Sequence, residues 1–254
     1  MLGVHTHSSE EQKSSTDGVG LNIQAEWRQT WKALEAKTPG KESVIQLLHD
    51  AAKRDDVSIV TSLVRDSHVN PNSRDRKGWT ALLRATKTDS RKVLEWLIMC
   101  KADLNTQTKE LNSALHKAAK RCRPEAAEML CAAGADPNLK NKGGATPLML
   151  AVMHRSAEDV VKVLLRHKLD LNAQKDVGYT ALMLAARMGN SFAVGALIKA
   201  KAELEVKDKQ GETALTKAHK HHKDEVCQML MQSGARPQKG YNFSGGAAPK
   251  QLKP

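Results

Sequence analysis

Aromatic side chains are nearly missing from this chain. Phe, Trp and Tyr together make up eight of 254 residues, or 3%. Any core must then be built from Leu, Ala, Val and Met, which suits closely stacked helices. The same shortage leaves too few rings for a base-stacking platform on single-stranded nucleic acid. Cysteine is scarce as well. Cys100, Cys122, Cys131 and Cys227 form no C-x-x-C pair, a usage that fits reduced thiols in an intracellular compartment. No run approaches the roughly 20 apolar residues that a membrane helix needs, so membrane insertion is not expected. The opening MLGVHTHSSEEQKSS has no basic segment leading into an apolar one, and it carries acids. Both features argue against a secretory signal or a transit peptide. Gly3 stands one place too late for myristoylation, and QLKP offers no Cys for prenylation. The expected setting is intracellular, cytoplasmic in the first instance and nuclear in the second. Acidic residues are in deficit too, 28 against 40 Lys and Arg, for a net charge of +12. That balance favours acidic partners such as nucleic acid, acidic protein surfaces or anionic lipid.

What is present is repetition. TPLMLAV at 146–152 recurs as QLLHDAA (46–52), TALLRAT (80–86), SALHKAA (113–119), TALMLAA (180–186) and TALTKAH (213–219). Its third-position leucines, Leu48, Leu82, Leu115, Leu148, Leu182 and Leu215, are spaced 34, 33, 33, 34 and 33 residues apart. A fixed step of that length marks a repeat protein, whose core is buried unit against unit. Each unit divides into two short helices and a turn. Pro147 stands in the first turn of the first helix, where its missing N–H costs nothing. Val160, Val161, Leu164 and Leu165 form the apolar stripe of a second helix. A polar turn closes the unit after KADLN (101–105), GADPN (134–138), KLDLN (168–172) or KAELE (201–205). The heptapeptide itself reads as scaffold, packing helix on helix with no role in contact.

Leu, Ala, Gly and Asn at these offsets resemble the ankyrin repeat, a β-turn followed by two antiparallel helices. The resemblance covers six units over about 44–237. It implies an all-α solenoid of stacked helix-turn-helix units with β-turn tips. Three departures stand out. The first unit lacks the Thr-Pro pair, Leu111 replaces the tip glycine, and the stretch Arg155–Ala157 holds one extra residue. A bulky residue resists positive φ, so the turn at 106–112 is expected to deviate. Outside the repeats, residues 1–20 are polar and expected to be disordered. Residues 21–43 hold an amphipathic helix, with Ile23, Trp27, Trp31 and Leu34 on one side, and a linker. That helix either caps the first repeat or docks a partner through Trp27 and Trp31. The Gly/Pro-rich stretch 238–254 reads as a flexible basic tail or as a cover over Met229 and Met231.

The resemblance also implies which positions meet a partner: the tips and the two residues after the Ala pair of the first helix, on the concave surface. The tips carry Arg74, Arg76, Lys77, Lys109, Lys140, Lys142, Lys175, Lys207 and Lys209 against five acids. The concave pairs supply Lys53, Arg54, Lys87, Lys120, Arg121, Arg187 and Lys220, and no acid. The excess of +11 is nearly the whole net charge of the chain. Trp79 and Tyr179 stand just before the Thr of their units, a position that points toward ligands in this family. Rings beside Arg have the composition of a binding hot spot; packing of Trp79 over the neighbouring turn is the alternative. The residues assigned to partner binding are thus Lys53, Arg54, Arg76, Trp79, Lys87, Lys120, Arg121, Lys140, Lys142, Lys175, Tyr179, Arg187, Lys207, Lys209 and Lys220.

No arrangement for catalysis emerges. His219, His221, His222 and Cys227 lack the spacing that closes a zinc tetrahedron. No Ser, Cys or Thr stands in a recognisable nucleophile context, and neither Gly18-Val19-Gly20 nor GARPQKG completes a phosphate loop. His49 and His116 match the motif histidine that hydrogen-bonds adjacent turns. Asn105, Asn138 and Asn172 resemble the family's asparagines that undergo hydroxylation, which is a modification and not an activity. The expected function is a non-catalytic protein-interaction module, an adaptor, scaffold or structural subunit binding an acidic partner surface. Binding to RNA backbone within a ribonucleoprotein is the alternative, and regulation of an enzyme by blocking its site a third. No cofactor, metal or small-molecule substrate is expected.

Overall fold

Thr or Ser heads five of the six heptapeptides, and each one starts a helix for the same reason. The hydroxyls of Thr80, Ser113, Thr146, Thr180 and Thr213 accept the backbone N–H three residues on. Such a cap satisfies a donor that the first helical turn leaves unpaired, worth about 1 kcal/mol. In the computed structural model, which describes residues 41–238, with side chains from Val44, the elements follow in strict alternation. The first helices of the units are α1 (Lys41–Lys53), α3 (Ala81–Thr88), α5 (Ala114–Lys120), α7 (Pro147–Val152), α9 (Ala181–Met188) and α11 (Ala214–Lys220). The second helices are α2 (Val57–Arg65), α4 (Arg91–Met99), α6 (Pro124–Ala132), α8 (Glu158–Leu165), α10 (Ser191–Lys199) and α12 (Asp224–Gln232). The described residues contain no strand. The expected disorder of residues 1–20, the expected helix with Trp27 and Trp31 and the tail beyond Gln238 lie outside the described residues.

First helices pack on first helices and second on second, so two layers run along the stack. The six marker leucines seal the join between them, none more than 2% exposed. Burying one leucine stabilises the fold by about 1.5–3 kcal/mol. Within a unit the two helices turn on one residue with positive φ: Asp55, Asp89, Cys122, Gly189 or His222. The fourth unit differs. Its extra residue is taken up as a short 3-10 helix over Arg155–Ala157, and no left-handed residue is needed there. α1 begins at Lys41, ahead of the expected boundary at 44.

The tips repeat as faithfully as the helices. In each, the residue five before the Thr position donates its N–H to the carbonyl four residues on, and the residue three later donates back. Leu111 was expected to disturb this pattern and does not. It adopts φ 55, its side chain is 45% exposed, and both turn bonds close at 3.0 and 2.8 Å. The strain of about 1–2 kcal/mol is outweighed by a network that fixes the turn from both neighbours. That network includes Gln107, whose side-chain amide donates to the Leu111 and Lys140 carbonyls. A second ladder ties unit to unit on the loop side. Asn72, Asn105, Asn138 and Asn172 each accept the N–H of the residue 31 or 32 positions on, at 2.8–3.0 Å. Glu205 continues it to Arg236.

Candidate partner-binding face

The fifth residue of the heptapeptide overturns part of the sequence reading. The stretch was expected to be scaffold throughout, yet Arg84, Lys117 and Lys217, all in that position, reach the foot of the tips. Arg84 pairs with Asp75. Lys117 sits 4.6 Å from the centre of the Trp79 ring and Lys217 4.5 Å from that of Tyr179. Two aromatic residues that precede a Thr are therefore each contacted by the lysine of the next repeat. Trp79 and Tyr179 are half-buried and are not free rings. Trp79 packs beneath Arg84, Lys87 and Lys117, whose charged groups lie 4.6–5.3 Å from its centre, a distance at which cations are attracted to the ring face.

The charge along this face is not uniform. Lys220 and Lys217 share Glu212, and Lys217 also meets Asp208 at 2.6 Å. The side chains of Lys217, Asp208 and Glu212 are only 3%, 0% and 9% exposed. Burial works against the charge on Lys217, but its contacts with Asp208, Glu212 and Tyr179 outweigh it and raise its pKa. The same contacts hold both carboxyls below their ordinary values against the effect of burial. Lys53 is paired as well, with Asp50 at 2.5 Å. The expectation of an acid-free row of cations thus fails at both ends, because acids from the tip and the helix fold inward onto it.

Between those ends the cations are without ion pairs. Among the described residues no ion pair engages Lys87, Lys117, Lys120, Arg121 or Arg187. Burial lowers the pKa of Lys117, and the charges of Lys120, Lys87 and Arg121 lower it further. Glu110 is the carboxylate that offsets this, without forming an ion pair. In the fourth and fifth repeats the concave positions carry Met153 and Met188, 41% and 42% exposed. A second cluster gathers one hundred residues on, where Lys175, Tyr179, Arg187 and Lys209 line a shallow depression together with Asp176, Val177 and Gln210. Lys140 and Lys207 belong to the tip ladder: Lys140 Nζ donates to the Gln174 carbonyl at 3.1 Å, and the Lys207 carbonyl accepts from Gln174. Arg54 and Lys142 are exposed, and Arg76 lies exposed on the first full tip.

The histidines do structural work. His49 bonds the Ser73 carbonyl at 3.1 Å and His116 the Ala145 carbonyl at 2.9 Å, each joining one repeat to the next. Burial pushes the pKa of His116 down to about 4, although the bond to Ala145 works the other way. Ser113 and His116 also close a capping box at the head of α5. Cys131 and Cys227 are buried, and burial raises both thiols to about 11, so neither is a nucleophile at neutral pH. Among the described residues no three His, Cys, Asp or Glu side chains converge to hold a metal ion. No described helix is long and apolar enough to cross a membrane.

The sequence reading missed Lys117 and Lys217 because it treated the whole heptapeptide as scaffold; the position is core where Leu184 is buried, but Leu150 is only half-buried there. The signal was available. A basic residue recurs there in three of six repeats, and a charge on an otherwise apolar helix needs a place to go.

Comparison with known proteins bears on the whole of this region. The family model described as ankyrin repeats, in three copies, matches residues 48–141, 92–175 and 148–240. The human neurogenic locus notch homolog protein 2 is 35% identical over 148 residues, 58% of this chain but 6% of that protein. A putative ankyrin repeat protein of fowlpox virus is 31% identical over 158 residues, 60% of this chain and 46% of its own length. This chain therefore spans less than half of the length of either relative. An ankyrin repeat domain from Acinetobacter baumannii superposes with a TM-score of 0.69 at 28% identity, covering 74% of this chain and 98% of that one.

Proposed function

The chain belongs to the ankyrin-repeat family, and from that premise we propose that it is a non-catalytic adaptor or scaffold that binds an acidic protein surface along its first helices and tips. Ankyrin repeats are in general protein–protein interaction modules. What supports the finer reading is one observation: Lys87, Lys117, Lys120 and Arg121 lie together on the second and third repeats with no ion pair among the described residues and with Glu110 as the opposing carboxylate at Lys117. Like charges held this close repel, and a partner that supplies acids relieves the repulsion on binding. Met153 and Met188 add an adaptable apolar stretch beside the cations. Free thiols at Cys100, Cys122, Cys131 and Cys227 are in keeping with a reducing, intracellular setting.

Affinity purification from cell extract, with and without nuclease, over a range of salt tests the reading. Protein partners should survive nuclease and fall away as salt rises, since exposed charges are screened within about 8–10 Å at physiological ionic strength. Lys120→Glu with Arg121→Glu should abolish their recovery. Unchanged recovery from that variant refutes the acidic-partner reading, and loss of all partners on nuclease treatment replaces protein with RNA.

A further inference from the structure

The second and third repeats and the fifth and sixth hold the same constellation twice, one hundred residues apart. Trp79 corresponds to Tyr179, Lys87 to Arg187, Lys117 to Lys217 and Lys120 to Lys220. The lysine stands at the same distance from the ring in both, 4.6 and 4.5 Å. Of the tip residues that differ between the copies, two decide what meets the lysines. The later copy has Asp208 and Glu212, which bind Lys217 and Lys220. The earlier copy has Thr108 and Asn112 in those places. The later copy thus displays the ligand chemistry that the constellation accepts, a carboxylate bridging the two lysines beside the ring.

We propose that Lys117 and Lys120, beside Trp79, form a subsite for a Glu or Asp side chain of a protein partner, supplied in trans where the sixth repeat supplies Glu212 and Asp208 in cis. This rests on the acidic-partner reading and gives it a location. The geometry favours a single planar carboxylate over a nucleic-acid backbone. In the sixth repeat Glu212 spans Lys217 with one oxygen and Lys220 with the other, and such charge-assisted bonds are the strong ones. The Trp79 ring walls one side, so the ammonium of Lys117 is already half-withdrawn from water and loses little more when an acid docks.

The test moves the acids of the sixth repeat into the third. Thr108→Asp with Asn112→Glu should neutralise Lys117 and Lys120 from within. The backbone tolerates Asp at the first position, because Asp75 and Asp208 accept tip N–H groups there. The full chain is titrated with a fluorescein-labelled octaglutamate peptide at low salt. The graft should weaken binding at least about tenfold, the loss expected when one charge-assisted bond is removed, and should raise the melting temperature. Lys117→Met should weaken it similarly without adding acid. Lys92→Gln with Lys199→Gln removes two charges from second helices and should change affinity less than about twofold. Equal peptide binding by wild type, graft and Lys117→Met overturns the subsite while leaving the basic-face reading intact. A wild-type protein that ignores the peptide overturns both. Tighter binding of an oligouridylate of equal charge, insensitive to the graft, overturns the subsite in favour of nucleic acid.

Discussion

Replacing Lys217 by Met strips a buried cation from between two carboxylates. The side chain of Asp208 is fully buried and that of Glu212 nearly so. Asp208 Oδ1 keeps its bonds from the Gln210 and Glu212 N–H groups, both at 2.9 Å, but Oδ2 loses Lys217. Glu212 retains Lys220, whose side chain is 45% exposed. Stranding a buried charge costs about 3–5 kcal/mol, and the intact pair to Lys220 places the loss toward the lower end. Lys117→Met at the corresponding position strands no carboxylate and relieves repulsion from Lys87, Lys120 and Arg121, so stability should hold or rise. Two chemically identical substitutions one hundred residues apart should therefore differ by about 3 kcal/mol. Urea unfolding followed by circular dichroism measures the difference, and hydrogen exchange on α12 locates it. Acid gives a second check on the sign. The depressed pKa values of Asp208 and Glu212 stabilise the wild type above the ordinary carboxylate range, and that contribution is lost as pH falls. The gap between Lys217→Met and wild type should close below about pH 4. Equal losses for the two variants, or a gap independent of pH, would refute the reasoning.

Three further outcomes are expected. His116 is held neutral with a pKa of about 4 against 6.5 when unfolded. Stability present above pH 6.5 should thus drain away toward pH 4 by about 3 kcal/mol, and His116→Gln should flatten that part of a pH–melting curve. Gly178 and Gly211 share a positive φ, 83 and 77, but a Cβ on Gly178 would lie 2.7 Å from the Lys209 nitrogen, while one on Gly211 meets nothing within 4 Å. Gly211→Ala should cost about 1–2 kcal/mol and Gly178→Ala a further 1–3 for the clash, as read by chemical denaturation. Asn138 accepts the Asp170 N–H and donates to the Lys168 carbonyl, so Asn138→Ala should cost about 1 kcal/mol and speed exchange of the Asp170 amide.

The spacing of Leu48 through Leu215 determined the fold by itself. A period of 33 or 34 residues with apolar faces too small to close alone admits only stacking, and Thr or Ser at the head of five of the six first helices fixes where they start. The roles of His49 and His116 were legible for the same reason, because a repeat places every motif residue against the same neighbour. Even Leu111, which local preference counts against, takes the turn that its neighbours impose. Whether a charge faces solvent or folds onto another was not legible. Lys117 and Lys217 occupy one register position in two copies of the same heptapeptide. Their fates are decided by Thr108 and Asn112 in one case and Asp208 and Glu212 in the other, residues on a turn that only the tertiary fold carries back over the helix. Periodicity lists which cations share a face. Which of them a partner can still reach depends on distances across that turn, and electrostatic energy falls too steeply with separation and burial for a count of charges to stand in for it.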